Sequence, residues 1–437
     1  MDMRAFMNYS ELPGIPKLWV DYTAGLPVGS VSVMAAPNLS SLESKARILQ
    51  GRHYAREKIA YLLAREERNS PDLQESLAKL CLPETVVVTA VIKASLFGGS
   101  MCQILKCLAA AKLSHQIAAA GIPAIPVCWI TEDSSRCPER SAICLPDVRG
   151  QIHKLRLEPE AAGMQPASQF STMQVLDLLQ RMAGLLGEKL DAEVMELFKA
   201  CYCSGRTLAF ATACLFSTMM REWGVIVLNS QSPYLTPFWA EVDQILDQRR
   251  DRELVDLKSN HKAETEIENR HVLADSLYSS FVATSLIFPV IANLINPCEL
   301  TTFVASLPLF EKLTVPPPVA WPQPGVTILD ARSRRTLAKY GFSINELFLE
   351  EQCAVEKVKD RIVCQAEEKL DTLATEVGAG LETLGNLFPD RKDLRAACNC
   401  CKERVIYQIE KLKERCRVAV EQKQRAAERQ IRKMRNI

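Results

Sequence analysis

The chain has 437 residues, of which 48% are hydrophobic and 24% charged, a balance typical of globular proteins. Its formal net charge of +1 excludes a bulk electrostatic attraction to nucleic acid as the basis of its function. Residues 1–10 lack the pattern of a secretory signal, and no apolar stretch is long enough to span a membrane. The 16 cysteines are scattered, so we expect reduced thiols and a cytoplasmic protein.

The first predicted elements are turns and a charged helix over about residues 42–67. A β-branched run at 85–92 then predicts a strand that is buried on both faces. A glycine turn, a helix over about 101–120 and a second strand at 124–130 follow it. This order predicts a βαβ unit and therefore a parallel sheet.

The middle of the chain predicts a hairpin around residues 147–150 and helical structure over 170–222. Further strands are expected at 224–228, 286–292 and 326–329, with a proline-rich surface link at 315–324.

Two runs of apolar residues at three- and four-residue steps fill the C-terminal part, separated by Phe388-Pro389-Asp390. The pattern predicts an antiparallel hairpin of two helices, a coiled-coil arm. In the register we expect, Gly378 and Gly380 lie opposite Cys398, Cys400 and Cys401.

Gly98 and Gly99 stand between a predicted strand and a predicted helix. Such a turn can present backbone N–H groups to an anion, or it can serve only for tight packing. The acidic pair Glu132 and Asp133 directly follows the next strand. These acids could hold a metal, accept hydrogen bonds from an amine or act as a base, or Asp133 could simply cap a turn or helix.

Lys106 and Lys112 lie on different sides of the predicted helix over 101–120. Either lysine could extend to solvent or meet a phosphate or a carboxylate, and the sequence leaves both readings open. The five histidines do not pair at helical or loop spacing, so no metal site and no serine–histidine triad is evident.

Three segments together resemble the bacillithiol biosynthesis cysteine-adding enzymes. Residues 96–113 are similar to that family's leucine-phenylalanine-glycine-glycine turn and lysine-bearing helix. Residues 121–133 resemble its second strand and acidic motif, and residues 288–341 resemble a later region that contains Glu299. The segments occur in the family's order over nearly the whole chain.

The resemblance implies an α/β fold with a Rossmann-like parallel-sheet core, inserted connecting segments and a C-terminal antiparallel coiled-coil arm that joins a homodimer. It implies three parts: an N-terminal segment at 1–80, a core at 81–345 with inserts at about 160–222 and 250–280, and a helical hairpin at 346–437.

The implied reaction joins L-cysteine to the amine of glucosaminyl-malate, with ATP or another adenine nucleotide activating the carboxylate. The resemblance assigns catalysis to Glu132 and Asp133. It assigns nucleotide or substrate binding to Phe97, Gly98, Gly99, Lys106, Lys112 and Glu299. It implies small-molecule partners, with no metal, nucleic acid or membrane.

Several positions depart from the family's pattern. Ser134 and Ser135 replace a histidine and an aspartate after the acidic pair, and residues 295–298 replace a glycine-rich loop. These changes keep a second interpretation open: a catalytically impaired family member that acts as a dimeric coiled-coil scaffold or interaction protein.

Overall fold

The structure is a computed structural model, and the part of the chain that it describes is given by the following ranges. They are residues 6–12, 14–26, 34–64, 71–131, 141–147, 151–157, 172–187, 190–203, 206–230, 232, 235, 277–329, 331–340, 344, 348, 351–387 and 389–435. The chain divides into two compact units, one formed by residues 15–326 and the other by residues 1–14 together with 327–437.

Four helices precede the first strand of the larger unit, and strands and helices are mixed along the rest of it. The strands within the described ranges are β1 (Val86–Lys93), β2 (Ala124–Thr131), β3 (Ala142–Pro146), β4 (Ile152–Arg156), β5 (Ile226–Asn229), β6 (Val290–Ile295) and β7 (Val319–Pro322). Its helices are α1 (Lys17–Thr23), α2 (Leu39–Gln50), α3 (Arg56–Ala64), α4 (Pro71–Cys81), α5 (Met101–Ala119), α6 (Thr172–Leu186), α7 (Ala192–Cys201), α8 (Leu208–Met219), α9 (Leu277–Ile287) and α10 (Pro297–Lys312). The smaller unit contains α11 (Ala331–Tyr340), α12 (Glu351–Asn386) and α13 (Lys392–Arg435).

Five strands form a parallel sheet in the order β5-β2-β1-β6-β7, and β3 and β4 form a separate antiparallel hairpin. The chain moves outward from β1 through β2 to β5 and then returns to the other side of β1. The direction of winding therefore reverses between β1 and β6, where open α/β sheets place their ligands.

The central strand β1 is buried along nearly its whole length. Its even-numbered side chains from Val86 to Ile92 join a core with residues of α2, α5 and α8. Its odd-numbered side chains point to the opposite face and are equally buried. Helix α9 packs against β1, β2 and β6, and its Phe281 meets Phe303 of α10 with ring centroids 5.3 Å apart.

The predicted fold class is confirmed, as are the strands at β1, β2 and β5 and the β3–β4 hairpin. The strand predicted at 326–329 is wrong, because residues 323–329 are irregular. The edge strand is instead β7, inside the segment that we expected to be a proline-rich link. Among the described strands β7 pairs only with β6, so Pro322 needs no hydrogen-bond donor towards a second neighbour.

The strand predicted at 286–292 begins late. Helix α9 continues to Ile287, and β6 starts at Val290 after Pro289. The apolar run passes through the junction without interruption, and periodicity cannot locate a helix-to-strand boundary inside such a run.

The two long helices of the smaller unit pack antiparallel, as the breaker at 388–390 predicts. Ion pairs join them, including Lys413 to Asp371 at 2.6 Å and Arg417 to Glu367 at 2.7 Å. Supercoiling and dimerisation through these helices stay predictions.

The register of this helical pair is shifted by a few residues from the expected one. A Cβ atom on Gly385 would lie 3.8 Å from that of Cys398, whereas one on Gly378 would meet Lys402. Residues 389–397 are exposed, but Arg395 already contacts the end of α12, where its guanidinium donates to Asn386 Oδ1 at 3.2 Å.

No helix in the described ranges is both long and apolar enough to cross a membrane.

Candidate functional site

The candidate site lies where the sheet reverses its winding, at the carboxyl ends of β1 and β6. A turn at residues 95–99 leads from β1 into α5. Asn296 leads from β6 into α10. Two helices therefore begin at this edge of the sheet.

The turn after β1 has three successive residues with positive φ: Phe97 at 49°, Gly98 at 82° and Gly99 at 71°. A Cβ atom on Gly98 would lie 3.0 Å from Leu215 Cδ2, and one on Gly99 would lie 2.8 Å from Ser95 Cβ. Backbone conformation and space therefore both require glycine at these two positions.

The bonding of the two glycine amides supports the tight-packing interpretation of this turn over the anion-binding one. The Gly98 N–H donates to the Tyr202 hydroxyl at 3.0 Å, and the Gly99 N–H donates to the Leu96 carbonyl at 3.0 Å. The open donors instead belong to Met101 and Cys102 in the first turn of α5, since the Gln103 N–H already donates to the Ser100 carbonyl at 2.9 Å. Ser100 makes no side-chain capping bond there, and residues 99–102 are exposed.

Lys106 and Glu299 come together between β1 and β6, although 193 residues separate them in the sequence. The Lys106 ammonium donates to Glu299 Oε2 at 2.6 Å and to the Val91 carbonyl at 2.9 Å. The lysine side chain is 3% exposed and the glutamate side chain 13%. Removing one member of such a buried pair lowers stability strongly, because the remaining charge has lost most of its hydration.

The carboxylate of Glu299 also closes the start of α10. Its Oε2 accepts from the Asn296 N–H at 3.0 Å, while Asn296 Oδ1 accepts from the N–H groups of Cys298 and Glu299. This reciprocal arrangement is a capping box, and it fixes the orientation of the carboxylate towards Lys106.

The remaining predicted site residues are not brought to this pair. Lys112 is exposed and lies roughly 16 Å along α5 from its first residue, at about 1.5 Å per residue. The Phe97 ring is buried against α7 instead of facing outward. Glu132 and Asp133 lie outside the described residues.

Three residues at this edge were not predicted from the sequence. Tyr202 and Thr212 bind the turn after β1 through their hydroxyl groups. Gln323, which follows β7, donates from its side-chain amide to the Cys102 carbonyl in the first turn of α5 at 2.7 Å. In the described part of the chain, no group of three or more His, Cys, Asp or Glu side chains could hold a metal ion.

Comparison with known proteins identifies the family to which this chain belongs. The family model described as "Bacillithiol biosynthesis BshC, N-terminal Rossmann-like domain" matches residues 7–273. The chain belongs to the BshC family. A BshC protein of Solibacter usitatus (strain Ellin6076), named "Putative cysteine ligase BshC", is 24% identical over 96% of this chain and 89% of its own length.

A second BshC relative, from Koribacter versatilis (strain Ellin345), carries the same name. It is 23% identical over 50% of this chain and 41% of its own length. The BshC family match ends at residue 273, before β6 and β7. Lys106 therefore lies inside the matched domain, and Glu299 lies in the segment that completes the sheet after it.

Proposed function

We propose that this BshC-family chain is a ligase that joins L-cysteine to the amine of glucosaminyl-malate, with ATP or another adenine nucleotide as the activating co-substrate. Family membership supports the bacillithiol pathway and the ligase class. The observation that supports the site is the open N-terminus of α5 beside Gly99, at the reversal point of the sheet.

The residues at this edge fit a polyphosphate. The uncapped first turn of α5 offers N–H donors and the positive end of the helix dipole. Gly99 is exposed and carries no side chain that would keep phosphate oxygens from the backbone. When bound, the nucleotide would supply the leaving group that makes the cysteine carboxylate reactive.

We assign Lys106 and Glu299 to bracing this edge, because each is already bonded to the other and nearly buried. Lys106 ties α5 to its own strand β1 through the Val91 carbonyl and to α10, across the reversal point, through Glu299. Glu132 and Asp133 directly follow β2, which pairs with β1 up to Thr131. We propose that one of these two carboxylates accepts the proton that the attacking amine loses.

We further propose that the protein is a cytoplasmic homodimer that dimerises through α12 and α13. The antiparallel packing of these two helices is compatible with such an arm.

A product assay tests the function directly. The full-length protein would be incubated with ATP, L-cysteine and glucosaminyl-malate, and the amide product would be measured by mass spectrometry. A bacterium that lacks its own cysteine-adding enzyme would provide the second readout, through its thiol content. Product that depends on both substrates and on nucleotide is the expected result.

The second candidate function is a scaffold that has lost activity. The observation that favours it is the mutual engagement of Lys106 and Glu299, which leaves neither charge free for a ligand. Absence of product, together with no binding of ATP or ADP at millimolar concentration in calorimetry, would favour this scaffold over the ligase.

The phosphate site can be tested at Ser100, the N-cap residue of α5. We expect Ser100→Asp to raise the free energy of unfolding by about 0.3–1 kcal/mol, because its negative charge complements the helix dipole. The same variant should weaken ATP binding by at least about tenfold, because the new carboxylate repels phosphate, a loss of roughly 1.4 kcal/mol.

Ser100→Asn is the matched control, since asparagine caps as well as aspartate but adds no charge. Calorimetry and urea unfolding would be run on both variants. ATP affinity in the Asp variant equal to that of the Asn variant would place the phosphates elsewhere.

A further inference from the structure

The turn that presents α5 is held in a conformation that its own sequence does not favour. Phe97 has φ 49° and ψ 35°, a left-handed conformation that residues with a side chain rarely adopt. Two further residues with positive φ follow it before the helix begins. Such a turn persists only where surrounding groups hold it in place.

Tyr202, which directly follows α7, connects the two ends of this turn through a single oxygen atom. Its hydroxyl accepts from the Gly98 N–H at 3.0 Å and donates to the Ser95 carbonyl at 2.9 Å. The side chain is fully buried, and burial raises the pKa of the phenol above its usual value of 10.0. The hydroxyl therefore keeps its proton and remains both a donor and an acceptor at neutral pH.

The aromatic ring of Tyr202 contributes to the same restraint. Phe97 stacks on Phe198 of α7 with ring centroids 4.6 Å apart, and it meets the edge of Tyr202 at 5.1 Å. The strained residue is therefore enclosed by two rings from one helical segment. Thr212 of α8 adds a second hold on Ser95, because it accepts from the Ser95 N–H at 3.1 Å and donates to the Ser95 carbonyl at 3.0 Å.

We propose that Tyr202 is a positioning residue that fixes the 95–99 turn and thereby aims the N-terminus of α5 at the phosphates of the nucleotide. The inference rests on the proposed function for its ligand, whereas the restraint on the turn stands on the contacts alone. Tyr202 does not itself reach the exposed tip of α5, so its effect on binding is indirect.

The test compares Tyr202→Phe with Tyr22→Phe in the full-length protein. Tyr22 is also buried, and its hydroxyl also donates to backbone, to the carbonyls of Ala320 and Ala35 at 2.8 and 3.1 Å. Both variants thus lose a buried phenol hydroxyl and keep the ring, but only one of them touches the turn. A general loss of stability would affect the two alike.

Hydrogen–deuterium exchange and calorimetry with ATP are the two readouts. We expect backbone exchange in residues 95–100 to be about tenfold faster in Tyr202→Phe and unchanged in Tyr22→Phe, because two hydrogen bonds that close the turn are lost. We expect the Kd for ATP to rise about tenfold in Tyr202→Phe and to stay within about twofold in Tyr22→Phe.

Each outcome decides between the two claims. If Tyr202→Phe binds ATP as tightly as the wild-type protein does, the positioning role is overturned, even if the ligase proposal stands. If the wild-type protein binds no ATP, the proposed function is overturned. If hydrogen exchange at residues 95–100 is also the same in Tyr202→Phe as in the wild type, the claim that Tyr202 restrains the turn is overturned as well. If Tyr202→Phe does not fold, Thr212→Val provides the same comparison, with faster exchange and weaker binding expected.

Discussion

Replacing Lys106 with methionine is expected to lower the free energy of unfolding by about 3–5 kcal/mol, because it leaves the Glu299 carboxylate without its counter-charge. The two side chains lie 2.6 Å apart and are 3% and 13% exposed, so water can replace the lost partner only in part. Urea unfolding of the full-length chain, followed separately by fluorescence and circular dichroism, measures the change.

The double variant Lys106→Met/Glu299→Leu sharpens this test. Removing both charges should recover part of the loss, since apolar groups of similar volume often replace a buried ion pair without cost. Recovery is incomplete because the Asn296 N–H loses its acceptor in the capping box. Lys199→Met is the control, because Lys199 pairs with Glu196 at 2.7 Å in the same unit but 40% of its side chain is exposed. That exposed pair should contribute less than about 1 kcal/mol. A single Lys106 variant as mild as the Lys199 variant would contradict the bracing role.

Gly99→Ala is expected to cost about 3 kcal/mol or more of unfolding free energy. The residue has φ 71° and ψ −138°, a region that is almost closed to side chains. The added methyl group would also overlap Ser95 Cβ and the side-chain amide of Gln103. Backbone strain and steric overlap therefore both destabilise the variant. ATP binding should also weaken if the N-terminus of α5 is the phosphate site.

Gly121→Ala separates the two contributions. Gly121 has φ 92° but no atom within 4 Å of an added Cβ, so only backbone strain is expected there, at about 1 kcal/mol. A cost at position 99 no larger than the cost at position 121 would show that Ser95 and Gln103 move aside easily. The turn would then be softer than its contacts indicate.

The central elements of the fold could be predicted from the sequence, because each of them has a local residue pattern that identifies it. The β-branched run of β1 and the glycine turn before α5 are recognisable from a few residues each. Strand β7 is four residues long and ends in a proline, so its assignment depends on pairing with β6 and not on its own pattern. The register of α12 against α13 depends on how far α13 extends beyond its partner, which no local pattern encodes.

The candidate site likewise contains residues that could be predicted from the sequence and residues that could not. The helical pattern of α5 leaves the role of Lys106 open, because its partner lies in a distant segment. The capping box of Asn296 and Glu299 has a readable spacing of three residues, and it could have assigned Glu299 to the start of a helix. Nothing around Tyr202 in the sequence signals that its hydroxyl closes a turn more than 100 residues earlier. That contact exists only after α7 has packed against the turn.

The separation of Lys106 from Glu299 has a consequence for biogenesis. A ribosome adds about 5–20 residues per second, so the lysine emerges roughly 10–40 s before the carboxylate that neutralises it. During that interval β1 also lacks β6, its neighbour on one side. The nascent domain therefore carries an open strand edge and an unmatched cation until β6 and α10 are made, and chaperone binding during synthesis would shield it at that stage.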